Sequence, residues 1–368
     1  MIRPDSIDAL CSTVAHARAT GTKLGLRGGG TKDAIGAPCE AQIVDMRGFA
    51  GVVDYDPPEL VLTVRTGTPL AEVEALVASE GQMLAFDPFD HGAMLGSDGG
   101  ATIGGVVAAG VAGPARLSRG GARDHLLGFT AVSGRGERFV AGAKVVKNVT
   151  GYDLPKLMAG SWGRLAALTE LTLKVLPAPR TRLTLAMRGL DATGAVAAMA
   201  RALGSAAEVT AAAHLPDWHG EAVTALRLDG FAESVAARAA MLPEFEALED
   251  GDALWLAVRG AVPLPREWPL WRLSVAPCKA PGAVAALPGA EWLLDWAGGL
   301  IWLASNADPA VVRAAAEAAG GHATLVRASE AVRASIPALH PQPAALAAIE
   351  ARVRRAFDPD GVFDTGRF

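Results

Sequence analysis

The spacing of apolar positions changes character along the chain. Near the start, Ile7, Leu10, Cys11, Val14 and Ala15 fall on one face of a helix that Ser6 can cap and Gly21 can stop. Short strand patterns follow at Leu24 to Arg27, Gln42 to Asp45, Val52 to Tyr55 and Leu60 to Arg65, the last alternating as a half-buried strand does. Thr68 reads as the cap of a helix with Pro69 at its first position, Glu72 in its first turn and Gly81 beyond its end. Leu126 to Val132 and Leu165 to Leu176 read as longer strands, and Pro177 and Pro179 mark a boundary. From residue 181 onward, strand patterns over 181–188, 222–228, 253–258, 270–276 and 300–304 alternate with Ala-rich helical patterns over 191–203, 231–242 and 308–319. A helix over 342–356 precedes a turn-rich end, Phe357 to Phe368. The second half therefore predicts α+β architecture on a mostly antiparallel sheet.

Glycine and tryptophan divide the chain the same way. Of 42 glycines, 27 lie in residues 1–163, whereas seven of eight tryptophans lie between Trp218 and Trp302. The first part is thus built on backbone that bends and approaches its neighbours closely, and the second on large packed side chains. At about 150 residues per domain, a chain of 368 suggests two or three domains. A net charge of −5 gives no global field to recruit a polyanion, so nucleic acid is not an expected partner. No uncharged apolar run is long enough for a membrane span, and the opening Met1-Ile2-Arg3-Pro4-Asp5 lacks signal-peptide order, so a cytoplasmic location is expected. Cys11, Cys39 and Cys278 are far apart, which fits reduced thiols and excludes a CxxC site.

Four glycine-rich segments carry the candidate chemistry. Arg27-Gly28-Gly29-Gly30-Thr31-Lys32 leaves a strand with three side-chain-free residues, whose N–H groups can form an anion nest; the same loop is also compatible with a plain tight turn. It is not a Walker loop, because Thr31 precedes Lys32 and no helical pattern follows. Ser97-Asp98-Gly99-Gly100-Ala101-Thr102-Ile103-Gly104-Gly105 again offers stacked amides and a hydroxyl, here opening a short apolar helix. Two such loops could clasp the two groups of a diphosphate. The third segment places Arg116, Arg119 and Arg123 beside the strand at Leu126, where an arginine could neutralise phosphate or simply be solvated. The fourth, Lys147-Asn148-Val149-Thr150-Gly151-Tyr152-Asp153, is followed by Gly160-Ser161-Trp162-Gly163.

These motifs, in this order and with the C-terminal ending, resemble the FAD-binding domain of the vanillyl-alcohol oxidase/p-cresol methylhydroxylase (PCMH) superfamily, and within it the family of the FAD-binding subunit of bacterial glycolate oxidase. The resemblance implies a two-part PCMH-type FAD-binding domain over 1–178, an α+β cap over 179–338 and a segment, 339–368, returning to the first domain. It implies that Gly28, Gly29, Gly30 and Thr31, flanked by Arg27 and Lys32, form one diphosphate loop. Ser97, Gly99, Gly100, Ala101, Thr102, Gly104 and Gly105 would form the other. Arg116, Arg123, Asp124, Lys147, Gly151, Tyr152, Gly163, Glu170 and Arg367 would lie along the cofactor. Trp162 stands where many members carry a glutamate near the adenosine end, and Asp364 where an asparagine is common. Arg27 to Lys32 lacks the histidine that often bonds FAD covalently, so the FAD is expected to be non-covalent.

Oxidation of a 2-hydroxy acid needs a hydride acceptor, a base and a cation for the carboxylate. The His-x-x-Gly-Asp-Gly-Asn-x-His metal run of related dehydrogenases is missing, and His214 and His219 are spaced wrongly for a helical metal face, so no metal site is expected. His91, Arg272 and Arg367 are the candidates for substrate-facing chemistry. The resemblance thus implies an FAD-binding subunit working beside a homologous catalytic flavoprotein and an iron–sulphur subunit. It would lie in the cytoplasm or, through those partners, at the inner face of the membrane. The alternatives are a self-sufficient FAD oxidoreductase of a small hydroxy acid or alcohol, and an assembly subunit without a catalytic role.

Overall fold

A computed structural model describes residues 1–143 and 152–368. The first helix, Ile7–Thr20, begins and ends as its caps predict: the Ser6 side chain accepts from the Ala9 N–H, and Gly21 turns left-handed at φ 68°. It packs with the parallel pair Leu24–Arg27 and Gln42–Asp45 through Leu10, Val14 and Val44. A five-stranded antiparallel sheet follows, in the order Val52–Asp56, Val61–Arg65, Ala166–Lys174, Leu126–Ser133, Arg138–Gly142. Val61 to Val64 are all buried, not alternately exposed, because the strand is internal and both faces are covered. Thr68 does not cap the next helix. Its hydroxyl donates to the Arg65 carbonyl at 2.7 Å and accepts from the Gly51 N–H at 2.9 Å, and the helix Leu70–Ser79 starts two residues later with Pro69 at its cap.

The second region is an eight-stranded sheet in which every neighbouring pair is antiparallel, ordered Glu246–Ala247, Thr181–Arg188, Glu221–Gly230, Ala211–Trp218, Glu291–Asp295, Leu300–Ala304, Leu270–Ser274, His322–Arg327. The helices Ala192–Leu203, Ala232–Ala239 and Pro309–Ala318 match the Ala-rich patterns. One expected strand, 253–258, is instead the helix Gly251–Gly260. Its apolar run is ambiguous in isolation, and it folds with Leu254, Trp255, Ala257 and Val258 buried while Leu256 faces out. The strands Ala211–Trp218, Glu291–Asp295 and His322–Arg327 escaped the pattern reading; the first opens on three alanines, which carry little strand signal.

One hydrophobic cluster runs through both regions, joining Phe86, Ile103, Phe129 and Leu171 of the first to Trp255, Trp296 and Trp302 of the second. The final helix, Ala344–Phe357, delivers the chain back to the first region. There the Val362 carbonyl accepts from the Leu24 N–H at 2.8 Å and Phe363 packs with Leu10 and Val14. Asp358, 4% exposed, makes that return by accepting from the N–H groups of Val362 and Phe363 at 2.8 and 2.7 Å. The architecture is α+β, and among the described residues no helix is long and apolar enough to cross a membrane.

Candidate cofactor and substrate site

The two glycine loops interlock. A Cβ on Gly29 would lie 1.6 Å from the Gly100 carbonyl oxygen, one on Gly99 would lie 2.0 Å from the Gly29 carbonyl oxygen, and one on Gly28 would lie 2.2 Å from Thr102 Oγ1. No side chain fits at this crossing. The second loop is tied down on its other side, where the Thr66 and Thr68 carbonyls accept from the Gly104 and Ile103 N–H groups at 2.8 and 3.0 Å. The Asp90 carboxylate accepts from the N–H groups of Gly92 and Ala101, both at 2.8 Å. Thr102 accepts from the Gly105 N–H and opens the short helix Ile103–Ala108.

Between the loops lies an open cleft. Arg27 to Asp33 form one wall, Thr102, Gly104 and Gly105 a second, and Trp162, Gly163, Leu168 and Arg367 close it. Lys32 supplies the charge: burial pulls its pKa down to about 8, Asp90 opposes that shift and Arg367 adds to it. An ammonium held this way calls for an anion, which a diphosphate would provide. Arg27 instead pairs with Asp33 at 2.7 Å. Arg367 donates from Nε to the Ile35 carbonyl at 2.6 Å and from a second nitrogen to the Lys32 carbonyl, so it fastens the first loop. These donors and the side-chain-free crossing fit an FAD diphosphate.

The other predicted positions disperse. Ser97 reaches the first loop, its hydroxyl 3.5 Å from the Gly30 carbonyl oxygen. Asp124 caps its own turn by accepting from the Gly121 N–H at 2.8 Å, and Arg123 is exposed. Tyr152 is 91% exposed. Glu170 sits in the five-stranded sheet, in register with Arg65 and Thr130, and does not line the cleft. Lys147 and Gly151 lie outside the described residues. Asp364 turns away from the cleft towards Arg354, 3.7 Å away. His214 is buried against Thr224 and His219 stands beside Asp250, so those two serve separate neighbours.

Trp162, which stands where related chains carry a glutamate, does line the cleft. It adopts φ +57° and its ring centroid lies 4.9 Å from that of Phe368. With Ala109 it is common to the cleft and to a second cavity of about 710 Å³. That second cavity brings together His91 and Arg272, 181 positions apart in sequence, with Phe89, Trp302 and Thr324. Burial holds the His91 imidazole well below its usual pKa, assisted by Lys32 and Arg272, so it is neutral. Trp302 and Thr324 were invisible to pattern reading because only strand register places both of them opposite Arg272.

Paired glycine loops joined to a mostly antiparallel sheet fit the PCMH type of FAD-dependent oxidoreductase, the class to which the comparisons assign the chain. The FAD binding domain family matches residues 1–142. Glycolate oxidase subunit GlcE of Escherichia coli (strain K12) is 37% identical over 369 aligned positions, covering 99% of this chain and 97% of that protein. The chain therefore belongs to the GlcE family of glycolate oxidase subunits. More partial likenesses are to glycolate oxidase subunit GlcD of Bacillus subtilis (strain 168), 32% identical over 43% of this chain and 33% of that one, and to D-lactate dehydrogenase of Anaerostipes hadrus, 33% identical over 45% and 32%. A solved alkyldihydroxyacetonephosphate synthase shares the fold, with a TM-score of 0.69 at 15% identity over 98% of this chain and 74% of that chain.

Proposed function

We propose that the chain is the FAD-holding, GlcE-type member of an oxidase complex acting on glycolate, a 2-hydroxy acid. In this reading it binds FAD non-covalently and passes on electrons taken from the acid. The observation that carries the reading is the interlocked crossing of Gly28 and Gly29 with Gly99, Gly100 and Thr102 beside the half-buried Lys32 ammonium. Likeness to GlcE along the whole chain supports it. Its partners would be a homologous FAD-binding catalytic subunit and an iron–sulphur subunit, its location cytoplasmic or at the inner membrane face through them. Residues 1–178 and 339–368 would act as the cofactor-holding body and 179–338 as the cap.

FAD supplies a two-electron acceptor when bound. The chain's own residues do the rest. Amides of the first loop would face the diphosphate, Lys32 would neutralise one of its charges, and Arg367, by donating to the Lys32 and Ile35 carbonyls, would hold that loop in shape. Gly163 would give close backbone approach on the wall where Trp162, packed on Phe368, offers an aromatic surface instead of a carboxylate.

The test uses the assembled complex. Anaerobic glycolate should reduce the flavin of this subunit when the partner subunits are present, and a Gly29→Val chain should assemble without contributing flavin. A complex in which this subunit's flavin stays oxidised under glycolate while the partner's flavin is reduced would contradict the reading.

A further inference from the structure

The second cavity is lined by charge and hydrogen-bonding capacity that the described residues leave unused. Arg272 lies on the strand Leu270–Ser274 with Trp302 opposite on one neighbour and Thr324 opposite on the other, so the three side chains form a row on one face of the sheet. All three line the cavity. Among the described residues the Arg272 guanidinium forms no ion pair and no hydrogen bond; its one partner is the ring of Trp296, whose centroid lies 5.0 Å away. Across the cavity, His91 is 8% exposed and stacked on Phe89 at 4.4 Å. A part-buried guanidinium with no carboxylate against it calls for an anion.

Trp296 explains how the cation is kept there. Its ring is held between two guanidinium groups, Arg116 at 4.4 Å and Arg272 at 5.0 Å, while its Nε1 donates to the Gly113 carbonyl at 3.0 Å. The backbone spends conformational strain to present it: Trp296 and Ala297 are consecutive left-handed residues, φ +51° and +56°, both buried. Asp295, the carboxylate that bears on Arg272, instead accepts from the Trp296 N–H at 2.7 Å, and burial pushes its pKa up to about 7.

We propose that this cavity is a binding site for a small monocarboxylate, with Arg272 anchoring the carboxylate, Thr324 meeting its polar substituent, and Trp296 positioning the guanidinium. The choice of glycolate as probe rests on the function proposed above; the anion site itself does not. Arg116 and Trp296 tie the loop of one region to the turn of the other, so the site exists only where the two regions meet.

The experiment is calorimetric titration of the FAD-loaded chain with glycolate and with glycolamide, its neutral isostere. Glycolate should bind at least about tenfold tighter than glycolamide, since only it forms the charge-assisted pair. Arg272→Met should weaken glycolate by about 30-fold and erase that preference, whereas Arg272→Lys keeps the preference with weaker binding. FAD content and melting temperature should not fall in Arg272→Met, because removing an unpaired cation is not destabilising. Trp296→Phe and Trp296→Leu both lose the bond to Gly113, but only the leucine loses the ring, so glycolate should bind about fivefold more weakly to it than to the phenylalanine variant. The inference is overturned if the FAD-loaded parent binds no glycolate, if glycolamide binds equally well, or if Arg272→Met binds glycolate as the parent does. A parent that takes up no FAD but still prefers glycolate would overturn the proposed function and leave the anion site standing.

Discussion

The two cavities on either side of Trp162 are made of different material. The cofactor cleft is built from backbone: loops crossing where no Cβ fits, with one lysine and one arginine adjusting the charge. The second cavity is built largely from side chains: three strands of the eight-stranded sheet bring Arg272, Trp302 and Thr324 into register, and loops of the first region close it. A backbone site binds what all diphosphates share and tolerates little change of sequence at its crossing. A side-chain site can be retuned for another ligand by one substitution, which is where specificity belongs.

That contrast can be broken in several places. The largest effect is expected from Gly29→Val, whose added atoms must displace the Gly100 carbonyl at the crossing; a cost of about 3 kcal/mol, more than a hundredfold in FAD affinity, should appear in flavin fluorescence titration. An unchanged affinity would mean that the loops do not meet on the cofactor. Next, Asp358→Ala leaves the buried N–H groups of Val362 and Phe363 unpaired and should lower stability by about 2 kcal/mol in urea unfolding, loosening Arg367 from the first loop.

A smaller effect is expected from Lys32→Met, about tenfold in FAD affinity from the loss of a charge-assisted contact. Its pH signature is sharper than its size. With a pKa of about 8 before FAD binds, Lys32 is charged below that pH and meets the diphosphate ready-made. Above pH 8 a proton must be taken up on binding, so affinity should fall as pH rises through 8 and should stay level across the same range in the Met variant. Smallest of all, Tyr152→Ala should leave FAD affinity within about twofold, because the exposed ring touches neither cavity.

How much of this was legible in advance follows the same division. Gly28 to Thr31 and Gly99 to Gly105 announce themselves because a glycine cluster has few purposes, and the structure brings them into contact. The caps of the first helix were readable for the same reason, since Ser6 and Gly21 act within one turn. His91 and Arg272 stood out as chemistry without a location, and what joined them was the packing of the loop that carries His91 against the eight-stranded sheet, at one cavity. The strand expected over 253–258 failed because burial on one side of a helix and on both sides of a strand give similar apolar runs. Trp296 could not have been found at all: its role depends on a left-handed turn that no local signal demands of a Trp-Ala pair.

The most direct test of the central claim, that this chain itself holds FAD between its two glycine loops, is flavin content after reconstitution. The chain is purified without partners, incubated with FAD, passed through gel filtration and then denatured. Equimolar flavin should travel with the parent, leave entirely on denaturation, and be missing from Gly29→Val. A parent that emerges colourless, or a Gly29→Val variant that keeps equimolar flavin, would contradict it.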